Sequence, residues 1–303
     1  MNHFWQMVVP SDSEEMRVDT FVVQNCLTFN RSLASSANTL FFIDNKEVKK
    51  SKKVKEGQLV EVKWVEEVFD KIEAEDIPLN IIYEDQNILV INKEQGKVVH
   101  PAAGNWEGTI VNALVHRYQS SFFLEEGQIR PGIVHRLDKE TSGIMVIALN
   151  KQAHENISKQ FKDRVVVKEY VALVKGVLKQ SKLTIDKNIG RDRFNRKKFT
   201  TVDSSKGKEA ISNVTLLRQI GEYALVKVNI ITGRTHQIRV HLSSLNYPIV
   251  GDPLYSRTKG DMMLHALSLQ FNDPVSGKKL TFRAPLPKNF VERVKSLSDN
   301  TRM

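Results

Sequence analysis

The chain has one cysteine, Cys26, which excludes an internal disulfide and any multi-cysteine zinc site. It has no apolar run near the roughly 20 residues needed to cross a bilayer, and its mean hydropathy is −0.33. The opening MNHFWQMVVPSDSEE lacks a basic end followed by an apolar core, so no secretory leader is expected. There is no G-x-x-x-x-G-K-[ST] loop and no strand–GxGxxG–helix unit, so nucleotide-driven and dinucleotide mechanisms lack their usual signature. A G-x-S-x-G elbow is also missing. No H-E-x-x-H occurs, and His236 and His241, five apart, fall on different helix faces, so histidine-based metal binding is unsupported. These absences predict a soluble, cytoplasmic protein whose reaction runs on ordinary side chains, with neither metal nor cofactor.

The chain is rich in positive charge. Its 303 residues, enough for two domains, carry 45 basic and 35 acidic side chains, a net +10. The surplus is uneven. Residues 1–76 are net −4, whereas residues 159–208 alone are net +10. Within the latter, GRDRFNRKKFT (190–200) packs Arg191, Arg193, Arg196, Lys197 and Lys198 around Phe194 and Phe199. A second basic island, KEVKKSKKVK (46–55), holds Lys49, Lys50, Lys52 and Lys53. A lysine run on its own reads equally as a solvated loop. Arginines interleaved with aromatics after a glycine favour phosphates and stacked bases. A membrane surface would want these charges on an amphipathic helix. The anionic partner expected is therefore nucleic acid.

Hydropathy patterning divides the chain into a unit over 17–65, a charged linker over 66–78 ending in Pro78, and a larger α+β body over 79–295. In the first unit VDTFVVQNCL has helical spacing and QLVEVKWV alternates as a strand. In the body LNIIYED, NILVINK, GIMVIALN, VVVKEYVALVKG and EYALVKVNIITG read as strands. GTIVNALVHRYQ, KQAHENISKQFK and THQIRVHLSSL read as helices. Their order does not alternate as a doubly wound parallel sheet requires.

Three segments carry chemistry. RPGIVHRLDKETSGIMVIALN (130–150) delivers a polar loop into an apolar strand. Asp138, between Arg136 and Lys139, is either a surface ion pair or a carboxylate held ionised as nucleophile or base. In ITGRTHQIRVHLSSL (231–245), Thr235 is expected to cap a helix with His236, Arg239 and Ser243 on one polar stripe. Arg239 is then a surface side chain or the bidentate partner of a buried carboxylate, and Arg234, in the loop, is suited to a phosphate. In KEYVALVKG (168–176), Tyr170 lies off the obvious apolar face. It is either structural or a ring that packs on a base, with a phenol able to handle a proton.

With these segments in place the chain strongly resembles the RluA-type family of RNA pseudouridine synthases. VVHPAAGNWEGTIVNAL (98–114), the 130–148 segment, KEYVALVKG, IGRDRFNRKK (189–198), TGRTHQIRVHL (232–242), YPIVGDPLY (247–255) and LHALSLQF (264–271) follow the family's order. The resemblance implies a mixed, mainly antiparallel sheet flanked by helices and loops. It implies that Asp138 is the catalytic aspartate, Arg239 its ion-pair partner, Tyr170 the ring stacked on uracil, and Arg136 the side chain that enters the RNA helix. Residues 17–65, with Arg31-Ser32 and VKKSKKVKEGQLVEV, loosely resemble the small RNA-binding domain of a small-subunit ribosomal protein. The implied substrate is RNA, large-subunit ribosomal RNA ahead of transfer RNA, with no obligate protein partner. A silent RNA-binding protein would share the charge map without needing Asp138, Tyr170 and Arg239 together. A glycosylase would want a second carboxylate across the bond, and Glu140 follows Asp138 too closely to face it.

Overall fold

Alternating and continuous apolar stretches sort into two compact units, Met1–Asp70 and Lys71–Met303, in the computed structural model. It describes residues 2–29, 33–36, 38–65, 72–101, 105–119, 131–203 and 205–300. Arg31, Ser32, Arg130 and the first part of the 66–78 segment lie outside the described residues.

The first unit contains β1 (Asn2–Val8), α1 (Val18–Asn25), β2 (Thr39–Ile43), β3 (Lys46–Val48) and β4 (Leu59–Val65). Its antiparallel sheet has the order β1-β4-β2-β3. Along β4, Val60, Val62 and Trp64 face inward at period two, and they pack with Val18, Phe21 and Val22, the i, i+3, i+4 face of α1. Asp44 and Asn45 close the β2–β3 hairpin with φ of 50° and 62°, the paired left-handed geometry of a two-residue turn, which Asn and Asp tolerate. The unit takes in residues ahead of 17, because β1 pairs with β4 along its whole length.

The second unit contains β5 (Ile81–Glu84), β6 (Ile88–Lys93), α2 (Ile110–Tyr118), β7 (Ser142–Ala148), α3 (Lys151–Lys162), β8 (Val167–Lys175), β9 (Lys182–Asp186), β10 (Ile189–Arg191) and β11 (Phe199–Thr201). It continues with β12 (Ile211–Ile220), β13 (Tyr223–Ile230), α4 (Gln237–Ser244), β14 (Leu264–Asn272), β15 (Lys279–Arg283) and α5 (Lys288–Asn300). Nine described strands form one mixed sheet, β5-β6-β7-β14-β8-β13-β12-β9, with β15 on β14, and only β7·β14 is parallel. The fold is α+β. Every residue of β7 is buried, as expected of a strand covered on both faces, whereas β13 alternates strictly. Gly143 pairs with Ala266 in the parallel ladder at φ 118°, where a Cβ would collide with the backbone of Ala266.

Two large apolar clusters fill the unit, one around β6, β7 and Leu114 of α2, the other around β8, β13 and α4, with Tyr170 packed against both, and a small third joins Ile189, Ala210 and Val240. Residues assigned to the linker also touch this unit. Asn112 of α2 donates to the Glu73 carbonyl, and the Glu75 carboxylate accepts the Gly108 N–H. No helix among the described residues is long and apolar enough to cross a membrane.

Candidate active site

The 131–141 loop is pinned from beneath by a buried lysine. Lys93, at the end of β6, donates to the carbonyls of Glu94, Lys97 and Lys139 at 2.8, 2.9 and 3.1 Å. Burial pulls its ammonium down to about 8, against the opposing charges of Glu140 and Asp138. Leu137 is anchored in the core, while its neighbours Arg136 and Asp138 line a cleft of about 110 Å³. His135 serves the fold instead. Its Nε2 accepts the Val146 N–H at 3.0 Å and its ring stacks on Phe161 at 4.7 Å. Burial holds this imidazole neutral, down to about 3.

The opposite wall is the head of α4. Thr235 is not its cap: His236 is, with φ 56° and no side-chain capping bond. The buried Gln237 tightens the turn. Its Oε1 accepts from the Thr232 hydroxyl and the Arg234 N–H, and its Nε2 donates to the Ile211 carbonyl. Arg239 follows within the first turn and is 4% exposed. Of the two readings its sequence position leaves open, the surface side chain is excluded.

The Arg239 guanidinium joins two carboxylates. Nε and Nη2 donate to Oδ2 and Oδ1 of Asp252 at 2.7 and 2.9 Å, and Nη1 donates to Asp138 Oδ2 at 2.9 Å. Asp252 is fully buried, and its carboxylate also accepts the N–H groups of Leu254 and Tyr255. Gly251 makes that turn possible, since at φ 74° a Cβ would strike the Asp261 backbone. Burial alone would lower the Arg239 pKa, but the hydrogen bonds and charges of Asp252 and Asp138 outweigh it and raise the value. The guanidinium also lies over the Tyr255 ring, 5.2 Å from its centroid. Asp138 is 21% exposed, and its Oδ1 accepts no hydrogen bond among the described residues.

Tyr170 stands on β8 and its side chain lines the same cleft. Burial first, and the Asp138 charge second, raise its phenol, so the resting form is neutral. Arg136 and Arg234 also line the cleft. Arg136 lies 3.3 Å from His100 Nε2, and Arg234 Nε donates to the Glu209 carbonyl at 2.9 Å. One cleft thus gathers Asp138, Tyr170, Arg239, Arg136 and Arg234.

The arginine-rich segment forms the separate β10–β11 hairpin. Asp192 Oδ1 accepts the N–H groups of Phe194 and Asn195 at 2.8 and 2.7 Å, and Arg191 donates to the Arg196 carbonyl at 2.7 Å. This holds Phe194 99% exposed at the tip, with Arg193, Arg196 and Lys197 exposed beside it. The hairpin base joins the cleft wall, where the Phe199 N–H donates to the Tyr255 hydroxyl at 2.8 Å. Lys198 lies 5.8 Å above the Tyr255 ring. Lys49, Lys50, Lys52 and Lys53 are exposed in the first unit, Lys53 paired with Glu15 at 2.6 Å. Sequence reasoning missed Asp252 and Tyr255, although both fall within the YPIVGDPLY segment. No spacing rule ties them to Arg239.

A mixed sheet with a carboxylate–arginine–carboxylate cluster in a cleft flanked by a basic hairpin describes an RNA-directed enzyme. The family model for RNA pseudouridylate synthase matches residues 87–244. An uncharacterized RNA pseudouridine synthase of Chlorobaculum parvum is 37% identical, covering 90% of this chain and 91% of that protein. Ribosomal large subunit pseudouridine synthase D of Borreliella burgdorferi is 38% identical, covering 91% and 88%. The solved structure of human RNA pseudouridylate synthase domain containing 4 superposes with a TM-score of 0.58 at 29% identity, covering 72% and 92%. The chain belongs to the RNA pseudouridylate synthase family and is an isomerase that acts on RNA.

Proposed function

We propose that this chain isomerises uridine to pseudouridine in large-subunit ribosomal RNA, with Asp138 as the reacting carboxylate and no cofactor. The observation that carries this reading is Asp138 held by Arg239 at 2.9 Å in the cleft that Tyr170 also lines. The names of relatives such as the Borreliella burgdorferi protein supply the substrate. The reaction breaks the bond from C1′ to N1, turns the base and joins C1′ to C5; the C5 proton is lost, N1 gains one, and the atoms balance. Asp138 begins it through Oδ1, by attack at C1′ or by removal of the 2′ proton.

The target base must first leave its stack, which costs a few kcal/mol. The neutral ring of Tyr170 offers a stacking surface for the extruded uracil, and Arg136 fills the vacated space. Charges on the 190–200 hairpin and on Lys49, Lys50, Lys52 and Lys53 of the small RNA-binding domain hold phosphates, adding affinity with little sequence reading.

Asp138→Asn is expected to abolish isomerisation while RNA binding survives, read by tritium release from 5-labelled uridine and by filter binding. Measurable turnover in that variant would sink the assignment. Mapping carbodiimide-reactive pseudouridines in total RNA, with and without the protein, tests the substrate. Loss of modification confined to transfer RNA would overturn the ribosomal reading.

A further inference from the structure

The scheme above leaves His236 unused, although it lines the cleft and holds a left-handed backbone (φ 56°) that residues other than glycine seldom adopt. Its imidazole is wedged at near right angles between the rings of Phe199 and Tyr255, with centroids 5.5 and 5.7 Å away. Nδ1 lies 2.9 Å from the Tyr255 hydroxyl. That hydroxyl already accepts the Phe199 N–H, and the tautomer adopted for His236 has the phenol donating its proton to Nδ1. Nδ1 is then the acceptor, and the neutral ring carries its proton on Nε2. Burial is the main influence keeping the ring neutral, reinforced by Arg239 and Arg136 against Asp138 and Asp252.

Nε2 faces Asp138 Oδ2 across 3.8 Å, a gap longer than a hydrogen bond. Catalytic contacts are often this loose before substrate arrives and tighten in the complex. Arg239 alone does not define the carboxylate plane, because it gives Asp138 one hydrogen bond and the terminal torsion of an aspartate is soft. Three of its five N–H groups are used, two on Asp252 and one on Asp138, so in this structure a single bond reaches the Asp138 carboxylate.

We propose that His236 is a positioning residue for Asp138: its Nε2–H closes on Oδ2 beside Arg239 Nη1, fixes the carboxylate plane, and leaves Oδ1 as the oxygen that reacts. Tyr255 acts one step further out by setting the tautomer. The proposal rests on the reading of Asp138 as the reacting carboxylate.

The test compares His236→Asn, His236→Gln and Tyr255→Phe with Asp138→Asn in single-turnover and steady-state assays. Asparagine tolerates both the left-handed backbone and the helix cap, but its amide is too short to reach Asp138. Glutamine carries an N–H to about the place of Nε2. His236→Asn is expected to lower kcat at least tenfold with KM and RNA affinity unchanged. His236→Gln should recover most of that loss, and Tyr255→Phe should lower kcat without raising KM. Wild-type rates in both His236 variants, with Asp138→Asn inactive, would overturn this proposal and leave the Asp138 reading standing. A loss that glutamine does not restore, or one seen as a raised KM, would assign His236 to the fold or to RNA contact and also overturn it. Turnover by Asp138→Asn would instead overturn the underlying reading.

Discussion

Arg239 binds two carboxylates that are not equivalent. Asp252 is fully buried and takes two of its hydrogen bonds, whereas Asp138 is 21% exposed and takes one. Removing one partner of a buried pair leaves an uncompensated charge, at about 3–5 kcal/mol. Asp252→Asn is therefore expected to lower the unfolding free energy by about 3 kcal/mol or more. Asp138→Asn, at a part-exposed position, should cost under about 1 kcal/mol. Urea titrations of the two variants check this, and equal losses would contradict the division of labour. Residues differ in legibility for a physical reason. Asp138 and Arg239 stand out within their motifs because their charges sit beside apolar runs. Asp252 and Tyr255 become meaningful only when the loop after α4 folds back over the guanidinium.

At the scale of elements, hydrophobic periodicity carried far. The windows 87–93, 143–150 and 151–162 correspond to β6, β7 and α3, the last residue for residue. β1 is not legible locally, because Asn2–Val8 has the company it needs only from β4, whose paired residues lie 51 to 63 positions on. The head of α4 departs from the sequence expectation. A threonine before an apolar stripe signals a cap, yet the Gln237 side-chain bonds tighten the turn and leave His236 at the cap position. The β10–β11 hairpin yields a prediction of its own. Reversing Arg193, Arg196 and Lys197 should weaken RNA binding and flatten its dependence on salt, since each lost phosphate contact reduces the slope by about one. Phe194→Ala should weaken binding by about 1–3 kcal/mol while leaving the slope unchanged. An unaltered slope after charge reversal would remove the hairpin from the interface.

For the whole molecule, two histidines whose pKa values burial lowers contribute to the response to acid. His265 is fully buried, where its Nδ1 meets the Ser142 hydroxyl at 2.9 Å, and burial pushes its imidazole down to about 4. Burial likewise lowers His135, to about 3. Both folded values lie below the unfolded value of about 6.5, so the unfolded chain binds more protons once pH drops under that value. The contribution of these two histidines is then whole above about pH 6.5 and declines as pH falls toward the folded values. For His265 alone the loss by pH 4 is about 3 kcal/mol. Urea midpoints between pH 7 and pH 4 should fall accordingly, and His265→Gln should make that fall shallower. A flat profile in the wild type would contradict the assignment. At the same scale the charge asymmetry gains a location. The net +10 of residues 159–208 spans β8, which carries Tyr170, and the basic hairpin.

The amino-acid order alone marks the chemically unusual residues and the strongly periodic elements, among them β6, β7, β8, β13 and α1 to α4. Both are local properties, set by side-chain type and by periods of 2 and 3.6. Through its motifs it also determined the family resemblance. Only the tertiary structure decided how those residues are joined. Asp138 and Arg239 are 101 positions apart and meet because the loop entering β7 and the head of α4 face one cleft. Asp252 anchors their pair, and the Tyr255 hydroxyl comes within 2.9 Å of His236 Nδ1, through contacts between loops that share no period. Periodicity reports which face of an element is buried, whereas the partner of a buried charge depends on where the chain returns.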